Sequence, residues 1–322
     1  MLIGTGLTLK AQIPPDSIVQ SNTDLPGNNV DSVPQDSIPG DKLVPFHKAA
    51  SDTAKLKTPG LNDRPNCLYN IKPAIDIPIS ALALAGTFVG FNLINKKPPT
   101  DTNIILNLDP EKDIPLAINR VAIHNYDPNA AHISDYFLYG GFVYGFTLLL
   151  DHDIRQDALK IGLLYLETMA ITGASYSLVA GSIDKLRPYA YNTDSFLVEG
   201  QKVPEVPLSK KANTGAVNSF YAGHPSVPAA SALFVASVYS TYHPHSSFRF
   251  VLYGIAIAAT GTTTYLRYKA GAHFPTDLFV GVALGSTYGL LIPHLHRCKD
   301  GSGLSIAPLT GQVKGVNMTY TF

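Results

Sequence analysis

The chain is short of charge and of cysteine. Of its 322 residues only 15% are Asp, Glu, Lys or Arg, against about 25% in an ordinary soluble domain. The 24 basic residues balance 24 acidic ones, giving a formal net charge of zero. A nucleic-acid-binding surface shows a basic excess, so nucleic acid is not an expected partner. Two cysteines cannot build a disulfide scaffold or a four-thiolate zinc site. Cys67 and Cys298 could pair in an oxidising compartment, and free thiols are at least as good a reading. Apolar residues are what the chain does have, at 45%, with a mean hydropathy of +0.10. So little charge points to a surface that faces lipid or a partner.

The averages hide a divided chain. Residues 1–11 are mostly apolar and end at Ala11. They read either as the remnant of a secretory signal peptide or as an ordinary N-terminus. Residues 12–74 are polar and broken by Pro14, Pro15, Pro26 and Pro39. Proline at that spacing forbids helix, and apolar residues are too few to offset ordering entropy, so a disordered leader is predicted.

Residues 75–296 form the predicted helical domain. Six apolar runs fall at Ile79–Ile94, Tyr136–Leu150, Ile161–Ala180, Val227–Tyr242, Val251–Leu266 and Asp277–Ile292. Each is too long for most strands and long enough for a helix. Ser134 is placed to cap the second run, with Asp135 in its first turn, and Pro275 to open the last. Glu167 interrupts the third run. Six runs with so few charges between them favour a membrane bundle, and a tightly packed soluble bundle is the alternative. The segment Ile104–Ala131 mixes apolar and charged residues and reads as an interfacial helix interrupted at Pro110 and Pro115. Residues 297–322 form a tail of short alternating strands joined at Gly311 and Gly315. His294 and His296 are two apart and do not share a helix face, so no metal pair is expected there.

Polar residues with chemical potential gather at the ends of the runs. Arg187-Pro188 follows the third, and Gly223-His224 opens the fourth. Arg267, His273 and Asp277 join the fifth to the sixth. His273 and Asp277 are four apart at a helix start, within reach of each other. A carboxylate there fixes the imidazole tautomer and leaves the other ring nitrogen as nucleophile or base. Arginine forks match phosphate oxygens, and a helix N-terminus favours an anion. Together these residues describe a phosphate site.

The pattern resembles the type 2 phosphatidic acid phosphatase superfamily, which also holds bacterial acid phosphatases and vanadium haloperoxidases. That family carries Lys-x6-Arg-Pro, then Pro-Ser-Gly-His, then Ser-Arg-x5-His-x3-Asp. Arg187-Pro188, Gly223-His224 and Arg267-x5-His273-x3-Asp277 match in order. The family lysine falls on Ala180, Pro-Ser on Tyr221-Ala222, and the serine before the arginine on Leu266.

The resemblance implies an all-α fold, a six-helix bundle of the acid phosphatase and haloperoxidase type; the apolar runs make it transmembrane, and the alternating tail adds a short β-like C-terminus. The same resemblance implies a phosphatase acting on a phosphomonoester or pyrophosphate, without metal or cofactor; membrane burial is the argument for a lipid-linked substrate over a soluble ester. His273 would be the nucleophile, Asp277 its orienting carboxylate and His224 the general acid and base. Arg187, Arg267 and the Gly223 amide would hold the phosphoryl oxygens, with Lys185, Tyr189, Ser219 and Ala222 as further pocket candidates. The implied setting is the membrane of a bacterial-type envelope with the site facing the periplasm, or a soluble periplasmic bundle. The alternative function is a weakened or inactive member that binds phospholipid. Halide oxidation would need bound vanadate, which the missing lysine disfavours. Oligomeric state is not legible.

Overall fold

The structure, a computed structural model, describes residues 67–298 and two further strands, Leu304–Leu309 and Gly315–Tyr320. The expectations for residues 1–11, and for the leader up to residue 66, lie outside the described residues.

Six long helices cover the six apolar runs. They are α1 (Pro73–Asn95), α2 (Pro128–Tyr144), α3 (Ala158–Ser182), α4 (Gly223–Tyr242), α5 (Phe248–Lys269) and α6 (Pro275–Leu295). Proline opens α1, α2 and α6, where its missing N–H costs nothing. The cap of α2 is Asp127, whose carboxylate accepts from the Ala130 amide at 3.0 Å. Ser134 therefore lies inside the helix, contrary to the sequence expectation, and its hydroxyl donates to the Ala131 carbonyl at 2.6 Å. The preceding proline and aspartate extend the helix upstream of its apolar run.

Most of α4 is buried, and it forms the centre of the bundle. Against it α6 presents Gly281, Gly285 and Gly289, spaced at four. A Cβ on any of them would strike the carbonyl oxygens of Ala222, Ser226 and Ala230 in turn. Glycine at this spacing lets two helix backbones touch. Gly90 of α1 meets Ser177 of α3 in the same way.

Four described helical stretches are long and apolar enough to cross a membrane: Pro73–Asn95, Pro128–Leu150, Ala158–Ser182 and Pro275–Leu295. The second joins α2 to a 3-10 turn, Gly145–Leu150. The most apolar window of α1 has mean hydropathy 1.8, and only 11% of it is buried. Leu82, Phe88 and Val89 point outward from it. A face of that kind is stable against lipid and not against water. The chain is thus an all-α bundle with an integral-membrane character, although α4 and α5 fall short of spans by composition.

The helices alternate in direction. Tyr242 Oη donates to Asp157 at 2.8 Å, tying the end of α4 to the start of α3. Lys97 Nζ, just past α1, donates to the Ala180 and Ile183 carbonyls at 2.7 and 2.8 Å, at the end of α3. The segments before α1 and after α6 meet at one end. There the Asn70 amide donates to the His296 carbonyl at 2.8 Å, and Cys67 and Cys298 form a disulfide.

The stretch between α1 and α2 is three short helices, Thr102–Leu106, Pro110–Asp113 and Ala117–Arg120, and not one interrupted helix. Pro110 begins the second of them. Between α3 and α4 lies a hairpin that the sequence reading missed, β1 (Ser195–Val198) with β2 (Gln201–Pro204). Its turn residues Glu199 and Gly200 both have positive φ, 50° and 82°, the backbone that matches strand twist. The expected β-like tail is an antiparallel pair, β3 (Leu304–Leu309) with β4 (Gly315–Tyr320).

Candidate active site

Backbone hydrogen bonds bring the three motif segments together at the end of the bundle away from the disulfide. The Lys185 and Arg187 amides donate to the Val217 and Ala216 carbonyls at 2.9 and 2.7 Å. The Tyr189 amide reaches the Gly271 carbonyl at 3.1 Å, and the Ala222 amide reaches the Asp277 carbonyl at 3.1 Å. Gly271 has φ 62°, and a side chain there would strike the Asn125 carbonyl. Glycine is what the turn from α5 to His273 requires.

A cavity of about 410 Å³ opens at this junction, lined by Asp135, Arg187, Tyr189, Lys210, Arg267 and Ala272 among others. Arg187 Nε donates to the Gly215 carbonyl at 2.9 Å, which fixes its fork at the wall. Arg267 is 6% exposed, and its Nη1 donates to Ser134 Oγ at 3.3 Å. Its Nε has no hydrogen-bond partner among the described residues. Two arginines held this way form a site for an anion with several acceptor oxygens.

The first turn of α4 lies alongside. Its N-cap, Ala222, has no side chain that can accept the free amides, so they remain available to an anion. Gly223 packs under Tyr176, where a Cβ would approach ring atoms to 2.7 Å. His224 Nε2 lies 2.9 Å from Asp135 Oδ1. The carboxylate accepts, so Nε2 carries the proton and Nδ1 is left for proton exchange.

His273 is buried, with Nδ1 2.6 Å from the Ser219 carbonyl oxygen. A carbonyl only accepts, so the proton is on Nδ1 and Nε2 bears the lone pair. Burial holds the His273 pKa well below the usual imidazole range, and the charges of Arg187 and Arg267 push it the same way. Both effects favour the neutral ring.

Asp277 does not orient His273 directly, contrary to the expected contact between residues four apart. His273 lies before the N-cap, Phe274, and its ring proton is taken by the Ser219 carbonyl. Asp277, in the first turn of α6, folds back to the cap. It accepts from Lys185 Nζ at 2.6 Å, from Ser219 Oγ at 2.7 Å and from the Phe274 amide at 3.3 Å. It thus holds Ser219, and Ser219 holds His273.

The pocket candidates divide. Tyr189 lines the cavity. Lys185 does not; it pairs with Asp277 and stands 4.9 Å from the Phe274 ring centroid. Ser219 and Ala222 lie behind the cavity as buried supports. Ala180, where the family has lysine, is fully buried in α3. Lys97 binds its carbonyl as a helix cap. Two charged cavity residues, Asp135 and Lys210, are among those the sequence reading missed. Asp135 was read only as a first-turn charge, and nothing local linked it to a histidine 89 residues away. Lys210 lies in a short helix, Leu208–Lys211, with no motif around it.

Residues 161–299 match the family model described as the PAP2 superfamily. That segment contains every matched motif residue, and the resemblance read from them is borne out over it. No curated protein matches the chain. A similar solved structure is the crystal structure of the first transmembrane PAP2-type phosphatidylglycerolphosphate phosphatase from Bacillus subtilis. It is 15% identical, with a TM-score of 0.40, covering 68% of this chain and 94% of that one.

Proposed function

We propose that the chain is a phosphatase that hydrolyses a lipid-linked phosphomonoester or pyrophosphate through a phosphohistidine on His273. The observation that carries this reading is the Nδ1–H of His273 on the Ser219 carbonyl, which presents an unprotonated Nε2 in the field of Arg187 and Arg267. In the first step Nε2 attacks phosphorus in line, the N–P bond forms and the bond to the leaving oxygen breaks. His224 enters this step as the imidazolium, with Nε2–H on Asp135, and gives that oxygen its Nδ1 proton. In the second step His224 takes a proton from water, the water oxygen attacks phosphorus, and the N–P bond breaks to release phosphate. Arg187, Arg267 and the Gly223 amide stabilise the charge that spreads over the phosphoryl oxygens. Asp135 steadies the His224 imidazolium against burial and the charges of Arg267 and Arg187, which lower its pKa. Lys210 supplies a further cation at the rim.

An apolar groove favours a lipid over a soluble ester. It has a volume of about 660 Å³ and runs between α5 and α6 past Gly261, Tyr265, Leu278 and Phe279 to Pro275, two residues beyond His273. Gly261 has open space beside it. Gly261→Phe is expected to lower kcat/KM for a long-chain lipid phosphate about tenfold relative to a short aryl phosphate, the usual reach of pocket filling. An unchanged ratio argues against chain binding there.

The activity itself is tested by phosphate release from phosphatidic acid and from a lipid pyrophosphate in detergent micelles. Release that vanadate inhibits supports the proposal. Retention of phospholipid without turnover supports the alternative, an inactive binding protein, for which the buried Ala180 is the argument.

Orientation is constrained by the opposite end of the bundle. Disulfides persist in oxidising compartments, and Cys67–Cys298 lies at the end away from the cavity. A bilayer across the bundle would put the two in different compartments. We assign the disulfide end to the oxidising side, which turns the cavity away from the periplasm, the reverse of what the resemblance implies. Thiol mass-tagging of acid-quenched cells is expected to tag neither cysteine until reductant is added. Two tags without reductant would restore the periplasm-facing site.

A further inference from the structure

Glu167 interrupts the third apolar run, and α3 turns it inward. An ionisable residue at membrane depth calls for a partner or a function. Glu167 meets Asp76 of α1 and His296, which follows α6. Both carboxylates are only 4% exposed. One oxygen of each and one ring nitrogen of His296 lie within 4.8 Å of one another.

The arrangement does not close by hydrogen bonding. His296 Nδ1 is 2.8 Å from the Ile292 carbonyl oxygen, so Nδ1 carries the proton and Nε2 offers a lone pair. Nε2 is 3.4 Å from Asp76 Oδ1 and 3.7 Å from Glu167 Oε2, beyond the range of an N–H···O bond. Glu167 Oε2 is buried with no hydrogen-bond partner among the described residues. Three lone-pair donors thus face one point, and two of them are buried carboxylates. The two distances from His296 Nε2 do suit a metal. Bonds of about 2.0–2.1 Å in a tetrahedron put ligand atoms roughly 3.3 Å apart.

The supporting contacts are those of a metal site. A ligating histidine commonly donates its other N–H to a carbonyl, as His296 does. The other oxygen of Asp76 accepts from the Lys72 amide at 2.7 Å. The Asn70 amide and the Cys67–Cys298 disulfide hold the segments on either side.

We propose that Asp76, Glu167 and His296 bind a divalent cation of the zinc type, with water as a fourth ligand, fastening α1 and α3 to the end of α6. The site stands apart from the phosphate cavity by the length of α6, roughly 30 Å for 21 residues. His296 was set aside as a metal ligand when paired with His294. Its partners come instead from α1 and α3, which no local spacing reveals.

The test uses the full chain, free of any affinity tag, stripped with chelator in detergent and titrated with Zn²⁺ and separately with Mn²⁺ by calorimetry. One tight equivalent of either ion is expected, together with a raised Tm. Glu167→Gln keeps the shape of the side chain and removes one charged ligand; His296→Ala removes the nitrogen. Each is expected to weaken binding at least about 100-fold, more than the loss of a supporting contact, and to abolish the Tm rise. No stoichiometric uptake of either ion by the wild-type protein overturns the proposal. So does uptake that both variants retain. Phosphatase activity does not enter the readout, so the result is independent of the proposed function.

Discussion

His273→Ala is expected to reduce phosphate release by about 10⁴-fold or more, the scale seen when a covalent nucleophile is removed. The ring is enclosed and its loss opens a small cavity, so some loss of stability accompanies the loss of rate. Its size is separable by measuring Tm alongside activity. His224→Ala should cost less, about 100- to 10,000-fold, the range for a general acid and base. The larger effect at 273 than at 224 is the signature to look for. Because burial and two arginines keep His273 unprotonated, kcat/KM should not fall with protonation of the nucleophile as pH drops through about 6.5, the ordinary imidazole value. A fall in rate as pH rises, absent from His224→Ala, would point to His224, which must start protonated and whose pKa burial, Arg267 and Arg187 hold low.

Asp277→Ala is expected to damage stability before chemistry. The carboxylate is fully buried and receives Lys185 Nζ, Ser219 Oγ and the Phe274 amide. Removing one partner of a buried pair costs about 3–5 kcal/mol. Lys185 is one-third exposed and can turn toward water, which lowers the figure. The stranded Ser219 hydroxyl and Phe274 amide raise it by about 1 kcal/mol each. A net loss of about 3 kcal/mol corresponds to a fall in Tm of roughly 6–12 °C for a domain of this size. Ser219→Ala keeps the carbonyl that holds His273 and should lose less than about tenfold in rate, the worth of one hydrogen bond. If Asp277 acted on the imidazole directly, Asp277→Asn would cut kcat sharply with Tm unchanged. That result would contradict the geometry.

Much of the architecture was legible because it is local. Apolar runs of helical length gave six helices, and Pro275 marked the start of α6. Their place at the ends of the runs, with the family resemblance, pointed to Arg267, His273 and Arg187 as one site, since the bundle returns each helix end to the same place. What failed was long-range or depended on competing partners. Ser134 looked like a cap because Asp127 was hidden behind a proline. Asp277 looked like the partner of His273 because four residues separate them, but Lys185 and the cap amide compete for the same oxygens. Asp135 reaches His224 across two helices. Glu167 looked like a flaw in a membrane span until α1 and the end of α6 supplied its neighbours.

The central claim is that phosphorus passes through a covalent bond to His273. Rapid quench of the enzyme with ³²P-labelled lipid phosphate, under alkaline conditions that preserve phosphoramidates, tests it directly. The label is expected on the peptide containing His273, stable to base and lost in acid, and absent in His273→Ala. In His224→Ala both formation and release should slow, so the label should accumulate only from an aryl phosphate whose leaving group needs no proton. Steady turnover with no protein-bound phosphate, or label on a peptide without His273, would contradict the account.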